Sequence, residues 1–129
     1  MDFKGNFIMK KFLFIFIVII LGCSSPKLNK LDNNSVILSF GDSLTYGTGA
    51  SENGDYPAVL SKMLNIEVVN EGIPGEISME GLERLPGVLE EINPQLVILC
   101  HGGNDMLRKL GREKMAENVS EMIELIQAK

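Results

Sequence analysis

Three apolar runs punctuate this chain, and each leads into a short polar turn. Val36-Ile37-Leu38-Ser39-Phe40 runs into Gly41-Asp42-Ser43-Leu44. Residues 66–69 lead to Gly72-Ile73-Pro74-Gly75, and residues 96–100 to Gly102-Gly103-Asn104-Asp105. Short continuous apolar runs are what a parallel sheet buried on both faces requires of its strands. Helix-spaced stretches alternate with them. Residues 56–64 have Asp55 placed as N-cap and Pro57 in the first turn, with Val59, Leu60, Met63 and Leu64 expected to face inward. Leu82, Leu85, Val88, Leu89 and Ile92 predict a second helix, which Pro86-Gly87 is expected to kink or divide. Residues 113–128 predict a third, with the stripe Met115, Val119, Met122, Ile123 and Ile126. The order β, α, β, α, β, α implies a parallel sheet with right-handed crossovers. All three polar turns then fall at the same ends of their strands, where open α/β sheets carry active sites.

The first 35 residues read differently. Residues 1–22 have the layout of a secretion signal, with Lys4, Lys10 and Lys11 ahead of an unbroken apolar stretch over 12–21. That stretch is short of the roughly 20 residues a membrane span needs. Met9 opens a more typical signal than Met1 does. Ile20-Leu21-Gly22-Cys23 resembles a bacterial lipoprotein cleavage box, so Cys23 is expected to carry a lipid and to hold the protein at the cell envelope, on the periplasmic or extracellular side. Residues 24–35 are polar and turn-rich, a tether between anchor and domain. With Cys23 lipidated only Cys100 remains, so no intramolecular disulfide forms, and Cys100 reads as a small buried apolar residue.

From Cys23 onward the chain holds 16 acidic and 9 basic residues, a net charge near −7. That argues against nucleic acid as a partner, since phosphate binding needs a basic patch. A single histidine and no Cys/His cluster leave no basis for a metal site.

Ser43 stands at the tip of a strand-to-helix turn, which projects its hydroxyl and presents its own N–H to developing negative charge. A serine becomes a nucleophile only when a base takes its proton and donors hold the oxyanion. Gly75 offers close approach of a backbone N–H, and Asn104 a neutral side-chain donor. Taken singly, each of these is an ordinary turn residue; their common register argues for more. Asp42 is expected to brace the Ser43 loop through backbone N–H groups. Asp105 is expected to cap the turn that follows it. His101 is read as structural, held in packing or in its own turn's hydrogen bonds. Gly47 and Gly49 lack the Lys-Ser/Thr that would make a phosphate loop.

Gly41-Asp42-Ser43-Leu44, the 70–75 segment and Gly103-Asn104-Asp105 together resemble the GDSL, or SGNH, hydrolases, in particular the bacterial branch of arylesterases, acyl-CoA thioesterases and lysophospholipases. The resemblance runs from residue 36 through the last helix. It implies Ser43 as nucleophile, with Gly75 and Asn104 as oxyanion donors and Gly72 as the rival to Gly75. It implies a small acyl ester or thioester as substrate, no cofactor, and a flavodoxin-like α/β/α fold with a parallel sheet.

One block of that family has no counterpart here. Its Asp-x-x-His, which supplies the base and its orienting acid, is missing. The chain therefore reads as the front half of the domain, three strands with their helices, weak or inactive by itself and open to a complementing C-terminal fragment. Rival readings are a carbohydrate O-acetyl esterase of the envelope, and a non-catalytic lipoprotein or broken-gene fragment.

Overall fold

The computed structural model describes residues 30–129. The expected leader, Cys23 and most of the tether lie outside the described residues.

Three strands form one parallel sheet in the order β2-β1-β3: β1 is Val36–Gly41, β2 Glu67–Gly72 and β3 Leu96–Cys100. The register sets Gly41 opposite both Gly72 and Cys100, so the three strands end level. The chain leaves β1 for β2 on one side, then crosses to β3 on the other. The reversal between β1 and β3 opens a crevice beyond their C-terminal ends. The Ser43 turn leaves β1 there and the Asn104 turn leaves β3.

Five helices accompany the described strands: α1 Ser43–Tyr46, α2 Tyr56–Leu64, α3 Ser78–Ile92, α4 Gly103–Leu107 and α5 Arg112–Gln127. Alternate residues of a strand face opposite ways. Leu38 and Phe40 of β1 turn to one face and pack with Leu85 and Leu89 of α3 and Met122 of α5, the centre of the core. α1 and α2 pack against β2. This is the α/β/α layering expected from the sequence.

Several local expectations change. The second strand extends to Gly72 rather than stopping at Val69. α3 is one continuous helix through Pro86. Pro86 and Gly87 are exposed while Leu85 and Leu89 are buried, so the buried stripe holds the helix together through the proline. On α2, Asp55 caps as expected, its carboxylate accepting from the Ala58 N–H at 3.0 Å. The expected inward face does not hold: Val59 and Leu64 are exposed and Met63 is 77 % exposed. Pro57 is buried instead, and the Ser61 hydroxyl donates to the Ile66 carbonyl at 2.8 Å, turning that side of the helix toward the sheet. On α5 the buried positions are Asn118 and Met122, and Ile123 is 44 % exposed. Ile123 is one residue, about 100° of rotation, from Met122. Cys100 is half-buried rather than buried.

Candidate active site

Ser43 is the first residue of α1, directly after the Asp42 N-cap. One Asp42 carboxylate oxygen accepts from the Leu44 N–H at 3.1 Å, which is the bracing expected of a short acidic cap. The Ser43 carbonyl accepts from the Gly47 and Thr48 N–H groups at 3.1 and 2.9 Å, closing the helix after one turn. Gly41 must be glycine for this turn to exist. A Cβ there would run into the Cys100 carbonyl on β3 and the Thr45 side chain on α1.

In the second turn, Gly72 donates its N–H to Asn70 Oδ1 at 3.0 Å, which favours Gly75 of the two rivals. A Cβ on Gly72 would also overlap the Tyr46 backbone. Asn70 goes on to donate to Asp55 at 3.2 Å, tying the end of β2 to the cap of α2. Gly75 sits at φ +83°, a conformation that favours glycine, and its carbonyl accepts from Arg108 Nη2 at 2.7 Å.

In the third turn, Asn104 Nδ2 donates to the Glu76 carbonyl at 2.9 Å and lies 3.5 Å from the second Asp42 oxygen. These contacts link all three turns. Asp42, next to Ser43, meets Asn104; Asn104 meets Glu76, next to Gly75. A cavity of about 390 Å³ lies beside this cluster, lined by Asp105, Met106, Lys109, Gly111 and Arg112. Ser43, Gly75 and Asn104 are not among its lining residues.

Asp105 departs from expectation. Its carboxylate accepts from the Ser78 N–H at 2.8 Å and the Ser78 hydroxyl at 2.6 Å, so it caps α3 across the fold rather than its own turn. Asn118 of α5 donates to the same hydroxyl at 2.9 Å. All three residues are buried, and each bond satisfies a group that burial would otherwise penalise.

His101 is structural in the manner expected. Its side chain is fully buried, with Nε2 at 2.9 Å from Glu76 Oε2 and Nδ1 accepting from the Gly102 N–H at 3.1 Å. Its partner, Glu76, carries no signal in the linear sequence. Its own partners come from the residue just after β3 and from the middle of α3. Arg84 grips the same carboxylate through Nε at 2.6 Å and Nη2 at 2.9 Å.

Burial pushes the Glu76 carboxyl up, but the bonds and charges of Arg84 and His101 outweigh it and hold the group below its ordinary value of 4.5. A carboxylate depressed in the folded state stabilises the fold fully above the unfolded pKa and loses that contribution as pH falls through the folded value. Wild-type protein is therefore expected to lose stability below about pH 4.5 more steeply than Glu76→Gln. Urea unfolding at neutral pH and in acid checks this: the gap between the two proteins should narrow in acid, and a constant gap would contradict the assignment.

A family model described as GDSL-like Lipase/Acylhydrolase family matches residues 39–129. Esterase TesA of Pseudomonas aeruginosa is 36 % identical over 97 residues, covering 71 % of this chain and 48 % of that protein. The Escherichia coli K12 protein named thioesterase 1/protease 1/lysophospholipase L1 is 33 % identical over 94 residues, covering 71 % and 45 %. The crystal structure of AlinE4, a SGNH-hydrolase family esterase, superposes with a TM-score of 0.69 at 36 % identity, covering 77 % of this chain and 56 % of that one. The chain thus spans about half the length of the curated relatives it matches. By its matched segment and its fold alike, this chain belongs to the GDSL-like lipase/acylhydrolase family.

Proposed function

We propose that this protein is a serine acyl hydrolase acting on carboxylic esters or thioesters, with Ser43 as nucleophile. The observation that carries the reading is the run of contacts from Asp42 to Asn104 to Glu76, which draws the Ser43, Asn104 and Gly75 turns to one place. Ser43 Oγ attacks the carbonyl carbon and gives up its proton to a base. The carbonyl oxygen becomes an oxyanion, held by the Ser43 and Gly75 N–H groups and by Asn104 Nδ2. The alcohol or thiol departs with the proton, and water then cleaves the acyl-serine and restores the hydroxyl. Leu44, Tyr46, Ile73, Met106 and Leu107 are exposed apolar side chains on the same three turns, which favours an acyl chain over a sugar as the group presented there.

Among the described residues no side chain is assigned as the base. His101 has both ring nitrogens engaged, and it is the chain's single histidine. Residues 1–129 by themselves are expected to hydrolyse esters slowly, and free imidazole to speed the reaction by accepting the Ser43 proton. The test is to quench a reaction with p-nitrophenyl butyrate and imidazole and to map the butyryl adduct by mass spectrometry. The adduct belongs on the peptide bearing Ser43; finding it elsewhere, or not at all, ends the reading. By the same proposal the domain is carried on a lipid at Cys23, and Cys23→Ser should release it from the membrane fraction.

A further inference from the structure

Beside the reacting centre stands a buried ion cluster to which the acyl-transfer reading gives no task. The Glu76 side chain is 5 % exposed. Its Oε1 accepts from Arg84 Nε, and its Oε2 accepts from Arg84 Nη2 and faces His101 Nε2. Because His101 Nδ1 already accepts from the Gly102 N–H, the ring proton resides on Nε2 and is donated to Glu76. Arg84 also donates to the Glu71 carbonyl at 2.8 Å and the Glu71 carboxylate at 3.1 Å, and it lies 4.0 Å over the Phe40 ring. One carboxylate is thereby tied to the end of β2, to α3 and to the end of β3.

Burying a charge costs several kcal/mol unless geometry and partners are excellent. A turn that only had to connect β2 to α3 would not need one. What the Glu76 main chain does is hold the Asn104 amide through its carbonyl, while its own peptide follows Gly75. We infer that Glu76, clamped by Arg84 and His101, is a positioning residue that aims the Asn104 amide and the Gly75 peptide at the oxyanion. This rests on the reading of Ser43 as nucleophile. Oxyanion donors lower a barrier only when their direction is set before the charge forms. Gly75 and Asn104 stand on turns, so rigidity has to come from side chains that brace them. Gly81 is part of the device. A Cβ there would lie 3.0 Å from His101 Cδ2 and Cε1 and closer still to Nε2, so only glycine on α3 leaves room for the ring.

Three variants test this. Glu76→Gln keeps the shape and removes the charge. Arg84→Lys keeps the charge and removes the fork. Gly81→Ala displaces His101 while leaving the Glu76–Arg84 pair intact. Two readouts are taken on each, at neutral pH and after confirming a folded protein. In imidazole-supported ester hydrolysis, kcat is expected to fall about tenfold with KM within about twofold, because the donors act on the transition state. In ¹H–¹⁵N spectra, the Asn104 side-chain amide should lose its hydrogen-bonded shift and its protection from exchange. A folded variant with the Asn104 signal unchanged would overturn the inference, whatever the hydrolysis does. A shifted Asn104 signal in a protein whose hydrolysis is indifferent to Ser43→Ala would uphold the clamp and overturn the esterase reading instead. Should Glu76→Gln fail to fold, Arg84→Lys and Gly81→Ala carry the same comparison.

Discussion

Ser43→Ala abolishes the imidazole-supported hydrolysis of p-nitrophenyl esters, leaving the rate of imidazole alone, while Asn104→Ala lowers that supported rate and leaves part of it. The two effects differ for a physical reason. Without the Ser43 oxygen no acyl-enzyme forms, and only the uncatalysed attack of water or imidazole remains. Without Asn104 the nucleophile persists and loses one oxyanion donor of three. Asn104 also donates to the Glu76 carbonyl, so its removal loosens the turn that carries Gly75. Both variants should remain folded. Ser43 is only half-buried and makes its bonds through its main chain, and Asn104 is half-buried. Steady-state rates with imidazole, corrected for the rate of imidazole alone, decide the matter. Equal losses in the two variants would argue against separate roles, and a fully active Ser43→Ala would remove the nucleophile assignment.

The second large effect concerns stability. Gly72→Ala is expected to cost about 3 kcal/mol, and Gly87→Ala to stabilise by about 0.5–1 kcal/mol. The chemical change is the same in both. At Gly72 the new methyl group meets the Tyr46 nitrogen and, at 2.6 Å, the Thr45 carbonyl carbon and the Tyr46 Cα. All are backbone atoms of α1 and cannot swing aside. Relief requires moving α1, and with it Ser43, away from the end of β2. At Gly87 the methyl would meet nothing within 4 Å, on the exposed side of a helix, where alanine narrows the unfolded ensemble at no steric cost. Urea midpoints of the two variants should lie on opposite sides of wild type. A neutral Gly72→Ala would mean that α1 is not seated against β2 as described.

Much of this arrangement is legible in the linear chain, because it depends on patterns a few residues long. The apolar runs, the Asp55 cap and the glycine-bearing turns after each strand belong to that class. So does the placement of Ser43 and Asn104 at strand ends, and the rejection of His101 as the base agrees with both of its ring nitrogens being engaged. The face α2 buries is not legible. Its apolar residues allow more than one rotation, and the Ser61–Ile66 bond selects one that leaves Met63 in water. Pro86 misled because its local preference is outweighed by the buried Leu85 and Leu89 on either side of it.

What the amino-acid order determined alone is the alternation of strands and helices and the chemistry available at each turn, since propensity and periodicity act between near neighbours. What only tertiary structure decided is which polar groups meet. Asp105 serves Ser78, 27 residues away, Glu76 receives His101 from 25 away, and Asp42 faces Asn104 from 62 away. Those meetings follow from the level ends of β1, β2 and β3, and a shift of one strand by a single residue would turn every one of its side chains to the other face.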